Sequence, residues 1–190
     1  MRRSYAILFA LVVLLSTVMS VQAVEYKSIE RHSGSSAYAS WTQTNSNVTT
    51  STSLSVSETE DGTDIYLDIY TSGPGFWSGK SGYTLIQDDV FKVNKKLNSA
   101  SLSEVEIDVY NWYTGQTETL TVKADWTGNG DLSTGSSSYS SRNGDYIWKS
   151  SESSSSREAS ATGSTNGFDF GVTPYASLSN FKSAYIIMEK

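Results

Sequence analysis

Two stretches carry most of the side chains that could do chemistry. EVEIDVYNW (residues 104–112) sets Glu104, Glu106, Asp108, Tyr110 and Trp112 on alternate positions. DIYLDIY (residues 64–70) does the same with Asp64, Tyr66, Asp68 and Tyr70. Glycoside cleavage needs two carboxyls about 5–10 Å apart, one of them held protonated by its surroundings. Carboxylates two apart on one strand lie about 7 Å apart, so the spacing permits that chemistry. Flat rings beside hydrogen-bonding groups also suit sugar binding without cleavage, because a ring offers apolar surface and a polar edge together. Phe76 and Trp77, in GPGFWSG, add two large rings in a glycine-bounded loop. That tip is expected either to touch a partner or to fold back on the core. Tyr66, Tyr70, Tyr110, Trp112, Phe76 and Trp77 are therefore the candidate ligand-binding residues. No catalytic residue and no metal site is assigned.

The elements that position these groups follow from the alternation. Val105, Ile107 and Val109 fall between the acids of one stretch, and Ile65, Leu67 and Ile69 between those of the other. Period-two patterning of this kind marks strands with one buried face. The turns bound hairpins. Asp61-Gly62 predicts Val56 opposite Leu67 and Leu54 opposite Ile69. Asn143-Gly144 predicts Arg142 opposite Asp145 and Tyr139 opposite Trp148. Thr114-Gly115 predicts Val105 opposite Ala124, Ile107 opposite Val122 and Val109 opposite Leu120, with Lys123 facing Glu106, Thr121 facing Asp108 and, in the first hairpin, Ser55 facing Asp68. In that setting the acids read as a solvated sheet face. Further strands are expected at 37–43, 83–86, 91–94, 157–163 and 184–188, with a long connection over 163–180. Trp41, Trp126 and Trp148 are expected to pack. Leu120, Val122, Ala124, Trp126, Ala159, Ala161 and Gly163 are expected to look inward. About nine or ten short strands predict an all-β, antiparallel β-sandwich, with a closed up-and-down β-barrel as the alternative.

The segment IDVYNWYTGQTETLTVKADWTGNGD, followed by REASATG, resembles a scattered group of small secreted microbial β-rich proteins. The likeness runs from about Leu97 to the carboxyl end. It implies secretion and an all-β fold, and it implies no catalytic residue.

Arg2-Arg3, the apolar run over residues 6–15 and Val21-Gln22-Ala23 have the layout of a secretory signal peptide cleaved after Ala23. Residues 24–34 are expected as a mobile leader and 35–190 as a single antiparallel domain. The chain of 190 residues has net charge −6 and no cysteine. Removing Arg2 and Arg3 from its 14 bases leaves 12 against 20 acids, or −8. Such a chain has no electrostatic reason to hold nucleic acid or an anionic membrane. The lone histidine, His32, speaks against a histidine-based triad. Asp125, Asn129 and Asp131, and Glu58, Glu60, Asp61 and Asp64, offer the oxygens calcium takes, but in no known calcium-loop spacing. Turn chemistry accounts for them, so no cofactor is expected, with a structural calcium ion as the alternative. Asn47-Val48-Thr49 is a lone glycosylation-type sequon.

The composite expectation is a secreted or cell-surface, non-enzymatic β domain whose partner is a glycan or envelope polymer. A secreted glycan-active enzyme with a carboxylate pair is the first alternative. A structural or adhesion component of the envelope is the second.

Overall fold

The computed structural model describes residues 25–189, and the expected signal peptide lies outside them. Ten strands make up the fold: β1 (Glu25–Asn45), β2 (Val48–Thr59), β3 (Gly62–Gly73), β4 (Phe76–Ile86), β5 (Phe91–Val93), β6 (Ser99–Asn111), β7 (Gln116–Gly128), β8 (Ser133–Asn143), β9 (Tyr146–Thr165) and β10 (Phe168–Glu189). They form one sheet in the order β10-β1-β2-β3-β4-β6-β7-β9-β8, with β5 beside β6. A further β9–β10 pairing makes the path return on itself, so eight strands form a cycle. The all-β antiparallel class is as expected, and the pairing cycle is compatible with both sandwich and barrel closure. Contacts group residues 31–137 and 152–183 into one unit. Among the described residues, 25–30, 138–151 and 184–189 form a second unit.

The core of the larger unit is the alternation made physical. Leu54, Val56, Ile65, Leu67, Ile107, Val109 and Val122 are buried. Each such side chain contributes about 1.5–3 kcal/mol on leaving water. Trp126 is also buried, and its indole N–H donates to the Tyr38 carbonyl at 3.0 Å. Phe91 meets Trp126 edge-on at 6.1 Å between ring centres. The expected use of small residues on β9 holds: a side chain at Gly163 would press on both Phe170 and Trp41, at 3.1 Å each. Trp148, expected to pack, is instead exposed, as is Tyr139.

The registers differ from expectation by a consistent amount. In the first hairpin Thr59 faces Gly62, so Val56 meets Ile65, Leu54 meets Leu67, and Ser53 rather than Ser55 faces Asp68. The turn residues are Glu60 and Asp61, because Gly62 takes φ 126° at the start of β3. Between β6 and β7 Asn111 faces Gln116, so Val105 meets Val122 and Ile107 meets Leu120. Glu106 then faces Thr121 instead of Lys123, and Asp108 faces Thr119 instead of Thr121. A two-residue Thr114-Gly115 turn would need positive φ at threonine, which costs energy at a β-branched residue. The chain uses a four-residue loop in which Gly115 alone takes positive φ. The Asn111 side chain accepts from the N–H groups of Tyr113 and Thr114, at 2.9 and 3.1 Å. Both registers move by two residues, which leaves every side chain on its expected face. The β8–β9 turn is Gly144-Asp145, one position later than expected, with Gly144 at φ 58°.

Two further differences concern connections. Residues 163–180 are not a long loop. Asn166 and Gly167, at φ 45° and 76°, make a tight hairpin between β9 and β10. Residues 25–34, expected as a leader, are the first part of β1.

One close approach fixes β4 against β6. Their pairing covers only Lys80 to Gly82, facing Asn111 to Val109. A side-chain carbon at Gly82 would lie 2.4 Å from the Asp108 carbonyl oxygen and under 3 Å from Ile107 and Val109. Glycine is therefore required there for the two strands to meet.

Candidate functional site

The outward positions of β1, β2, β3, β4, β6 and β7 form rows across the sheet. In one row Tyr38 faces Ser55, Ser55 faces Tyr66, and Tyr66 faces Tyr83. The next row, about 7 Å along the strands, runs Ser40, Ser53, Asp68, Ser81, Tyr110 and Thr117. A third row brings Ser51, Tyr70 and Gly79 side by side. Every member of the middle row carries a hydroxyl or carboxylate. Rings flank it on both sides.

Trp112 completes the third row from a different element. It stands in the β6–β7 loop, and its backbone N–H donates to the Gly79 carbonyl at 2.9 Å. Its indole lies over Gly79, where a side-chain carbon would come within 2.9 Å of the ring. Gly79 is buried in consequence, although it points away from the core. Tyr110 points its hydroxyl toward Gly115 of the same loop, 3.7 Å from where a side chain there would begin. Gly79 and Ser81 thus make a low floor, with Asp68 and Tyr70 on one side and Tyr110 and Trp112 on the other.

Tyr66, Tyr70, Tyr110 and Trp112 are each 43–52% exposed. Among the described residues these rings are therefore on exposed surface and not in the core, the point that the sequence left open. Phe76 and Trp77 are exposed too. Pro74 and Gly75 form the β3–β4 turn, and the Phe76 ring folds across Gly73 of its own hairpin, not into the core. Trp77 faces Ser72 at the outer end of the same surface. Residue-type reasoning missed Tyr83 and Tyr38, both exposed members of the first row. The signal was present: extending the β3–β4 hairpin from Pro74-Gly75 places Tyr83 opposite Tyr66.

Two acids of the opening stretches, Asp64 and Asp108, have hydroxyl partners. The Tyr83 hydroxyl donates to Asp64. That bond raises the Tyr83 pKa above the ordinary phenol value, with slight desolvation and the Asp64 charge acting in the same direction. Thr119 donates to Asp108 at 2.6 Å. On the opposite face of the same strands, where Ile69 and Val109 point, Lys80 pairs with Glu118. The two oxygen-rich turns do not converge: among the described residues no group of three or more His, Asp or Glu is gathered as metal ligands are.

Comparison with family models, with curated proteins and with solved structures finds no match.

Proposed function

We propose that this chain is a secreted, non-enzymatic β domain that binds an extracellular or cell-surface carbohydrate or envelope polymer through the outer face of β3, β4 and β6. The observation that carries this reading is the middle row. Six polar side chains in register across six strands, Tyr110 with its ring among them, offer donors and acceptors to hydroxyls, while Tyr66 on one side and Tyr70 and Trp112 on the other offer flat apolar surface. Sugar rings present the complementary surfaces, with C–H faces to stack on rings and hydroxyls at their edges. The row crosses five strand gaps of about 4.8 Å, or roughly 24 Å in all. That length suits a polymer better than a single sugar. The acidic chain favours a neutral polymer over an anionic one. Residues 6–15 and Val21-Gln22-Ala23 support the secreted location.

The test is retention on a panel of insoluble neutral polysaccharides and an envelope preparation. Wild type is expected to be retained on at least one. Tyr70→Ala and Trp112→Ala are each expected to weaken retention at least tenfold while the fold persists by circular dichroism. Retention unchanged in Tyr66→Ala, Tyr110→Ala and Trp112→Ala would remove this face from the mechanism.

A further inference from the structure

At one end of the larger unit the core-facing positions of four strands change character together. On β2 the buried series Thr52, Leu54, Val56 is followed by Glu58. On β1 the series Trp41, Ala39, Ala37 gives way toward the amino end to Ser35. On β10, Ala176 and Leu178 lead to Asn180 and then Lys182. On β9 the face of Ala161 and Ala159 continues through Arg157, which donates to Asn98, to Ser155 and Ser153. Glu58, Ser35, Asn180, Lys182, Ser155 and Ser153 line one cavity of about 690 Å³, with Lys95 from beyond β5. Interior positions are normally apolar, since an unpaired buried polar group costs free energy. Here the chain places polar groups on the core faces of four strands at one level.

One of them shows that cost directly. The Asn180 side-chain oxygen is buried and has no hydrogen-bond partner. Burial also pushes the Glu58 carboxyl above the ordinary glutamate range, and the negative charge of Asp89 adds to that. Both groups gain from a donor brought in by a ligand.

We propose that this cavity is a second binding site, which takes a neutral saccharide of one or two rings. Its volume falls in the range of about 300–1,000 Å³ that small-molecule sites occupy. Its charges balance, with Glu58 and Glu60 against Lys95 and Lys182. A cationic ligand meets the lysines and an anionic one meets the carboxylates. The several hydroxyls of a sugar satisfy both sides, because each can donate once, to the Asn180 oxygen or the Glu58 carboxylate, and accept from Lys95 or Lys182. Phe181, also on the lining, lies against Gly34 and offers ring surface for stacking. The site shares no residue with the aromatic rows, so it does not depend on the outer face binding anything.

The test is calorimetric titration of the whole protein with cellobiose, maltose, lactose and diacetylchitobiose, and with glucosamine and glucuronate as charged controls. At least one neutral disaccharide is expected to saturate. Asn180→Leu and Glu58→Ala are each expected to weaken that binding at least tenfold, and Trp112→Ala is expected to change it less than twofold. Asn180→Leu removes the unpartnered oxygen, so it is expected to fold at least as stably as wild type. The proposal is overturned if no neutral disaccharide saturates, or if a charged control binds more tightly. It also fails if both cavity variants bind as wild type does, or if Trp112→Ala alone abolishes binding.

Discussion

On the outer face of β3, β4 and β6, large rings stand in solvent beside hydroxyls. In the cavity at the end of the core, carboxyl, amide and ammonium groups stand on faces that elsewhere hold leucine, valine and alanine. The two regions invert the usual partition in opposite directions. Exposed rings forgo burial, and polar groups on core-facing positions are partly withdrawn from water, the Asn180 side-chain oxygen wholly so. The outer face rests on close backbone contact, since Gly79 and Gly82 let Trp112 and β6 lie directly on β4. The cavity rests on side chains whose needs are unmet within the chain, Asn180 above all. A platform can therefore be lost by filling one glycine, whereas the cavity changes by degrees.

The largest effect that would sharpen this contrast is at Gly82. Gly82→Ala forces a side-chain carbon against the Asp108 carbonyl, and overpacking of this kind costs about 2 kcal/mol. The melting temperature is expected to fall by roughly 4–8 °C, with polymer retention lost in parallel. A thermal melt unchanged from wild type would show that β4 and β6 do not depend on the close approach. Asn111→Ala comes next. It removes the acceptor for two loop N–H groups, and about 1 kcal/mol of stability is expected to go with it. Trp112 is displaced with the loop, so retention should fall more than stability does. Equal losses would break the link between loop geometry and the outer face.

The smallest effect belongs to the cavity. Glu58 has its carboxyl raised in the folded chain, so the folded state binds more protons than the unfolded one in the window between the two pKa values. Its contribution is fully present below the unfolded value and is lost as pH rises through the folded one. Glu58→Gln is thus expected to raise the melting temperature at neutral pH and to leave it unchanged at low pH. The rise should be no more than about 2 °C, because solvent screens a group that is only partly buried. A variant less stable than wild type at neutral pH would show that the ionised carboxylate is stabilised in the cavity.

Much of the core could be read from spacing. Val105, Ile107 and Val109, Ile65 and Leu67, and Leu120, Val122, Ala124 and Trp126 all lie on the faces that alternation assigned them. Their partners lie two residues from the expected ones in both the β2–β3 and the β6–β7 hairpins. Parity is fixed by the buried face, whereas absolute register is fixed by turn chemistry. That chemistry involved groups outside the turn dipeptide, notably the Asn111 side chain. Asn166-Gly167 is a hairpin signal in the sequence, set inside a Gly- and Asn-bearing segment whose composition otherwise reads as a connection. Nothing local marked Glu58 as a cavity residue. Read alone, it is an acid near a turn, and only Asn180, Lys182 and Ser153–Ser155 make it part of a cavity wall.

By itself, then, the sequence determined the strand class, the buried faces and the identity of the rings in EVEIDVYNW and DIYLDIY. Those depend on a period of two residues, which is a local property of the chain. The tertiary structure alone decided that Tyr66, Tyr70, Tyr110 and Trp112 share one open surface, because β4 and β6 pair across an intervening connection that contains β5. It alone decided that four core faces end in polar groups at one level, because that depends on β1, β2, β9 and β10 meeting from opposite ends of the chain. Such alignments arise from pairing between distant segments, and hydrophobic periodicity carries no record of which segment a strand will meet.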